Sequence, residues 1–427
     1  MLAGIVVFLG LGASGLPAGH AQEARALGPV AYYTVTPMML PNGNMIDEVI
    51  IHGPPVPPPG FEVERQAVWL PEAVTAEGIN ILVDVPAFNW VLGCSAVSGA
   101  MIAGYYDRSG WSNIYTGPTN GGVMPMDNSS WPTWSDGFAT YPNCPLVASK
   151  NGVDGRATRG TIDDYWVQYE SIADDPYIGH WTQHTWGDAI GDYMFTSQSA
   201  YGNPDGSTTF YYWTGSPDPL TCDDMEDYAL PDGTLGRKNF YEAKGYTVTD
   251  CYNQRTDNQV TGGFSFAQFK AEIDAGRPVM LNLEGHTVVG VGYDDSSNLV
   301  YIHDTWDYSN HSMDWGGSYS GMVLDGVSIV NLQSITWSFI YVAQGGLCGG
   351  GKSPCFGAIQ DAIDSAQSFT VVEITQETYY EDVILDDPKV VSLEGGWNTD
   401  FTLSSSFTTI NGSITITNGT MIIEYII

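Results

Sequence analysis

Gly93-Cys94-Ser95-Ala96-Val97-Ser98-Gly99-Ala100-Met101-Ile102-Ala103-Gly104-Tyr105-Tyr106 is the stretch on which the fold turns. Apolar residues at 97, 100, 101 and 105 recur with helical spacing, and small residues at 96, 99, 100, 103 and 104 permit close packing. The spacing predicts a buried helix with Cys94 in its first turn. Unpaired amide N–H groups and the helix dipole there favour a thiolate and lower its pKa, which a thiol nucleophile needs. A lone cysteine at a helix start is more often structural than catalytic, so its weight depends on a partner elsewhere.

The partner segment is Arg277-Pro278-Val279-Met280-Leu281-Asn282-Leu283-Glu284-Gly285-His286-Thr287-Val288-Val289-Gly290-Val291-Gly292-Tyr293-Asp294-Asp295. Ser265-Phe266-Ala267-Gln268 before it is a capping box that opens a helix, and Gly276 closes that helix. Val279–Leu283 and His286–Tyr293 read as successive strands, Asp294–Asn298 as a turn, and Leu299–Asp304 as a third strand. The pattern places His286 and Asp304 on neighbouring antiparallel strands. Asp304 is expected to accept a hydrogen bond from His286 and fix its tautomer, leaving the other ring nitrogen to deprotonate Cys94. The two motifs are far apart in sequence, but such partners meet in space.

Working outward, residues 2–16 (LAGIVVFLGLGASGL) are almost wholly apolar, and Gly19-His20-Ala21 offers a small-residue cleavage site. Residues 1–21 therefore read as a secretory signal peptide, although the stretch lacks an initial Lys or Arg. A short membrane anchor is the alternative, about 20 apolar residues being needed to span. Residues 22–80 are Pro-rich and read as an irregular N-terminal extension lying across the main body, with PPVPPPG at 54–60 its stiffest part. Such an extension also suits a pro-segment that occludes a cleft. Residues 81–344 form the body, and the Gly-rich run 345–351 is the expected boundary.

Beyond that boundary, residues 345–427 begin with an expected amphipathic helix over Phe356–Gln367. Short β-rich runs follow at Val371–Ile374, Val383–Leu385, Val390–Leu393, Ile414–Ile416 and Met421–Ile423. Their spacing suits a solenoid, with a small β-sandwich as the alternative. A solenoid needs several repeats and a polar cap, so the apolar end Tyr425-Ile426-Ile427 reads as a domain cut short.

Composition bounds function. The 427 residues carry a formal net charge of -35, and such a surface repels phosphate backbones, which argues against a nucleic-acid partner. The acidity is read as a solubility feature, because no calcium loop of the D-x-[DN]-x-[DN]-G type occurs. Of six cysteines, Cys348 with Cys355 and Cys222 with Cys251 are candidate disulfides, leaving Cys94 and Cys144 free. His180-Trp181-Thr182-Gln183-His184 has a zinc-helix spacing but lacks the catalytic glutamate. No metal and no cofactor is called for. His303 and His311 flank the Asp304 region and read as surface residues, with support behind the site as the alternative, and the pairs Asp163-Asp164, Asp174-Asp175 and Asp223-Asp224 read as solvated loops.

The segments GCSAVSGAMIAGYYDR (93–108) and GHTVVGVGYDD with YIHDTWD (285–307) resemble the nucleophile helix and the His and Asp strands of papain-like cysteine peptidases. The similarity is to their bacteriocin-processing, double-glycine-peptidase-like branch and covers roughly residues 81–344. It implies an α+β papain-like fold acting on a polypeptide substrate, with Cys94 as nucleophile, His286 as base and Asp304 as orienting acid. That branch often has a Gln shortly before the Cys as oxyanion donor; here Pro86-Ala87-Phe88-Asn89-Trp90-Val91-Leu92 has none, and Asn89 is the substitute. No transporter segment is present, so double-glycine leader cleavage is not inherited as the substrate.

The tail resembles the opening of a right-handed parallel β-helix of the pectate-lyase-like kind, with Cys355–Ile363 like its capping helix and Glu394-Gly395-Gly396-Trp397 like a corner motif. That likeness implies contact with surface glycan or cell wall. Two functions are thus in play: a secreted cysteine peptidase or related amide hydrolase, and an inactive papain-like scaffold serving as an extracellular binding or adhesion module.

Overall fold

The computed structural model describes residues 32–69, 78–91, 93–115, 120–131, 133–135, 140–142, 144–147, 189–198, 201–203, 206–334, 337–387 and 389–427. The expected signal peptide, the His180/His184 pair and the acidic pairs at 163–164 and 174–175 lie outside them.

The chain enters as an antiparallel hairpin, β1 (Tyr33–Met39) and β2 (Met45–Ile51), turned at Gly43 with φ 88°. Strand β3 (Thr208–Trp213) pairs with the far side of β2. Residues 33–51 are therefore regular structure, contrary to the expectation of an irregular extension. Most prolines of residues 22–80 follow Ile51, and Val49 and Ile51 alternate into the central core while Ile46, on the opposite face of the strand, packs with Leu40 and Leu220. A buried Arg255 fastens the hairpin, meeting Asp325, the Asp47 carboxylate at 3.2 Å and the Tyr33 hydroxyl at 3.3 Å.

Helix α1 (Cys94–Arg108) is buried nearly all round, as its mixture of small and apolar residues demands. It lies against the main antiparallel sheet. That sheet contains β4 (Val248–Arg255), β5 (Val279–Leu283), β6 (His286–Asp294), β7 (Leu299–His303), β8 (His311–Asp314) and β9 (Met322–Leu332), in the order β8-β7-β6-β5-β9-β4. The period of two along each strand splits the sheet between two cores. Met280, Val289 and Val291 pack with α1. Val279, Leu281, Leu283 and Val288 join Phe269 and Ile273 of helix α2 (Phe266–Asp274). The Ser265–Gln268 capping box is formed, and Gly276 follows the helix at φ 74°. With both faces covered, β5 and β6 read as nearly continuous apolar runs.

Between Leu332 and Ser338 the chain leaves this sheet for another. Strand β10 (Ser338–Val342) is parallel to β12 (Thr370–Thr375), β12 to β15 (Val390–Trp397), and β15 to β18 (Thr420–Glu424), while β11 (Cys355–Phe356) edges β10. Two further parallel pairs are β13 (Thr378–Tyr379) with β16 (Thr409–Ile410) and β14 (Val383–Leu385) with β17 (Ile414–Ile416). The change of sheet precedes the Gly-rich run 345–351, because β10 already pairs with the C-terminal strands. The helix expected over 356–367 is confined to α3 (Ile359–Ser365): Phe356 is taken into β11, and the Glu381 carboxylate accepts from the Ile359 and Gln360 amides, fixing the helix start. Among the described residues, no helix is long and apolar enough to cross a membrane.

Candidate active site

Cys94 opens α1 after Gly93, whose φ of 118° and tight surroundings admit no side chain: a Cβ there would lie 2.5 Å from Thr196 Cγ2 and 2.6 Å from the Gly206 carbonyl oxygen. A chain of buried hydrogen bonds fastens the helix start to the sheet. Thr287 donates to Asn282 Oδ1 at 3.0 Å, so its hydroxyl proton is committed and Ser95 must donate to Thr287 Oγ1 at 2.8 Å. Asn282 donates onward to the Tyr212 hydroxyl at 2.9 Å, and Ser98 donates to the Thr287 carbonyl at 3.1 Å.

His286 is the first residue of β6 and is fully buried. Its Nε2 lies 2.7 Å from the main-chain carbonyl of Asp304. A carbonyl only accepts, so Nε2 carries the proton and Nδ1 is the free nitrogen of the neutral ring. Nδ1 has no hydrogen-bond partner among the described residues. The imidazole stacks on the Trp306 indole, centroids 3.9 Å apart and planes 9° off parallel. Thr305, between these two contacts, has φ 67°, an uncommon conformation for a β-branched residue, at the turn that presents the Asp304 carbonyl to the ring.

The sulfur and the free nitrogen converge. A single point, the place of a Cβ on Gly53, lies 2.1 Å from Cys94 Sγ and 3.4 Å from His286 Nδ1. The two atoms can be no farther apart than the sum of those lengths. Burial pushes the Cys94 thiol up to about 11 and holds His286 down to about 4. The expectation of a lowered thiol pKa is thus reversed in this closed arrangement. Removal from water outweighs the helix-start amides, and the pair is a neutral thiol facing a neutral imidazole.

The expected carboxylate contact of Asp304 is also corrected. Its main chain, not its side chain, meets His286. Oδ2 accepts from Arg65 Nε at 3.0 Å and Nη2 at 2.8 Å and from the Tyr319 hydroxyl at 2.8 Å, while Oδ1 accepts from the Trp306 amide at 3.0 Å. Asp304, Asp307 and His311 bring ligand-type atoms within 4.8 Å of one another, and the positive charge there is Arg65, which also reaches Asp307 at 3.4 Å. His303 and His311 are buried rather than on the surface, His303 between the Pro86 carbonyl at 3.0 Å and Asn310 Oδ1 at 2.8 Å.

Asn89 is fixed through its main chain, which exchanges two 3.0 Å hydrogen bonds with the Asn128 side chain. Its own side chain neighbours the Tyr308 hydroxyl, and its Oδ1 is buried without a partner among the described residues. No hydrogen bond among the described residues links it to Cys94 or His286. Cys222–Cys251 and Cys348–Cys355 are disulfides, with Cα atoms 5.4 and 5.8 Å apart; Cys94 and Cys144 are free and buried. Asp223 and Asp224 belong to a helix start, Asp224 completing a capping box with Thr221, instead of a solvated loop. Sequence reasoning assigned no role to Trp306, Tyr319, Arg65 or Gly53. The tryptophan lay inside the quoted motif; the others carry no local signal.

A thiol opening a central helix, set against a histidine that opens a strand of the facing sheet, is a cysteine-peptidase-like arrangement. Residues 82–317, just over half of the chain, match the Peptidase_C39 like family, and the chain belongs to that family. No curated protein and no solved structure matches the chain.

Proposed function

We propose that the protein is an exported cysteine peptidase that hydrolyses peptide or amide bonds in polypeptides, with Cys94 as nucleophile and His286 as general base and acid. The observation that carries this is the convergence of the Cys94 sulfur and the unpartnered, proton-free Nδ1 of His286 on one point. Membership of a peptidase family supports it.

In the reaction, Nδ1 takes the thiol proton as Sγ bonds to the substrate carbonyl carbon, and the carbonyl electron pair moves to oxygen. The Cys94 amide at the helix start and the Asn89 carboxamide are the proposed donors to that oxyanion. Collapse breaks the C–N bond, and His286 returns the proton to the leaving amine. Water then adds to the thioester with His286 again as base, releasing the acid and restoring the thiol. Asp304 serves as the third member through its carbonyl.

Export is supported by the apolar stretch 2–16 and by the two disulfides. The parallel pairing of β12, β13 and β14 with β15, β16 and β17 supports reading the C-terminal segment as opening coils of a right-handed parallel β-helix, a module suited to surface glycan or cell-wall contact.

The test is release of new amino termini from an unfolded polypeptide. Cys94→Ala should abolish it, and His286→Gln should lower it by about a thousandfold. Equal turnover by Cys94→Ala would refute the assignment, and absence of turnover with Cys94 accessible to reagents would favour the binding module.

A further inference from the structure

We propose that residues 52–65 are a tethered occupant of the substrate groove that keeps Cys94 and His286 closed in the resting enzyme. The proposal deepens the peptidase reading and rests on it. Gly53 and Pro54 are buried, and Gly53 sits directly over the dyad. Two separate features demand glycine there: φ is 52°, and a Cβ would stand 2.1 Å from the sulfur and 2.9 Å from Cys94 Cβ. A substrate carbonyl cannot reach Sγ while this backbone occupies the same space.

The segment is held as a chain in a groove is held. Trp306, whose ring lies on His286, donates its Nε1–H to the Pro54 carbonyl at 2.8 Å. Arg65 then clamps the far side, with two hydrogen bonds to Asp304 and its guanidinium carbon 5.1 Å from the centre of the Trp306 ring. Between them Glu64 accepts from the Ser320 amide at 3.0 Å, and the Phe61 ring packs on Gly321, where a Cβ would lie 2.6 Å from Cζ. The near end is fixed by β2 within its sheet. The middle stands away from the body: Val56 is 62% exposed, and Pro59 and Gly60 are exposed.

The groups gripped by the strap are those that hold the dyad. Asp304 supplies the carbonyl to His286 and the carboxylate to Arg65; Trp306 stacks on His286 and bonds Pro54. The strap therefore reports its position directly to the site. Its removal would also admit water to a thiol and an imidazole that burial now keeps neutral.

The experiment uses the full chain and measures alkylation of Cys94 by iodoacetamide, mapped by mass spectrometry, with buried Cys144 as internal control. Gly53→Val places side-chain atoms where the sulfur stands and must lift the strap. A second form carries a site-specific protease sequence at 56–60 and is cut there, which frees one end and leaves the β1–β2 hairpin paired. Cys94 should react at least about tenfold faster in both forms than in the intact chain, because reagent access follows the open population, with Cys144 unchanged. An unchanged Cys94 rate in the cut form, folded by circular dichroism, would overturn the proposal even if Gly53→Val fails to fold. Fast alkylation without hydrolysis of any polypeptide would support the strap and remove the peptidase reading.

Discussion

His286 is oriented by the backbone of Asp304: its Nε2 lies 2.7 Å from the Asp304 carbonyl oxygen, while the Asp304 carboxylate is turned to Arg65 and Tyr319. Tautomer control and strap retention are thus divided between two parts of one residue.

Asp304→Asn separates those parts. The carbonyl is untouched, so the ring keeps its tautomer, and with the strap cut at 56–60 in both forms turnover should stay within about tenfold of the parent, far from the ten-thousandfold fall, roughly, that follows when a carboxylate alone sets the tautomer. The Arg65 clamp weakens, so Cys94 alkylation should rise. A fall in turnover of that larger size, with the fold intact, would return the orienting role to the carboxylate.

Trp306 can be dissected similarly. Trp306→Phe keeps a ring against His286 and loses the donor to Pro54; with the strap cut at 56–60 in both forms it should retain turnover within about tenfold, and in the intact chain it should react faster at Cys94. Trp306→Ala removes the stack and should cost about 3 kcal/mol of stability together with most turnover. Chemical denaturation and initial rates check both, and equal behaviour of the two variants would contradict the stacking role.

Acid stability should carry the signature of His286. Burial lowers its folded pKa from 6.5 to about 4, so in that window the unfolded chain binds a proton that the folded chain does not. Its contribution is complete above pH 6.5 and is lost as pH falls towards 4, amounting to about 2 kcal/mol between neutrality and pH 5. The difference between the parent and His286→Gln, measured by denaturant melts at several pH values, isolates this from His303, which burial also lowers. A flat difference across that range would contradict a buried neutral His286.

The Cys222–Cys251 disulfide closes a separation of 29 residues and ties the helix start at 222 to β4. Loop closure assigns it about 3–4 kcal/mol. Cys222→Ala/Cys251→Ala should show that loss in denaturant melts with Cys94 alkylation unaltered, since the bond lies away from the dyad.

What the residues disclose in advance follows from how local each signal is. The helix from Cys94 and the strands at 279–283, 286–294 and 299–303 are written in periodicity, capping and turn residues, and the two disulfide pairs were legible in spacing. The pairing of the hairpin at 33–51 with β3 is not local, nor is the joining of Ser338–Val342 to strands further on. For Asp304 the sequence discloses the neighbourhood and not the atom, because spacing places a residue and cannot say whether its carbonyl or its carboxylate faces the ring. Arg65 and Gly53 act on residues more than 200 and about 40 positions away, and neither lies in a motif that announces it.

The central claim is that Cys94 is the nucleophile and His286 activates it. The most direct measurement is the rate and site of covalent labelling by a peptide-based thiol electrophile on the full chain with its strap cut at 56–60. The account predicts one adduct, on Cys94 and not on Cys144, absent in Cys94→Ala and formed at least about a hundredfold more slowly in His286→Gln. Labelling of Cys144 at a comparable rate, or a Cys94 rate indifferent to His286, would contradict it.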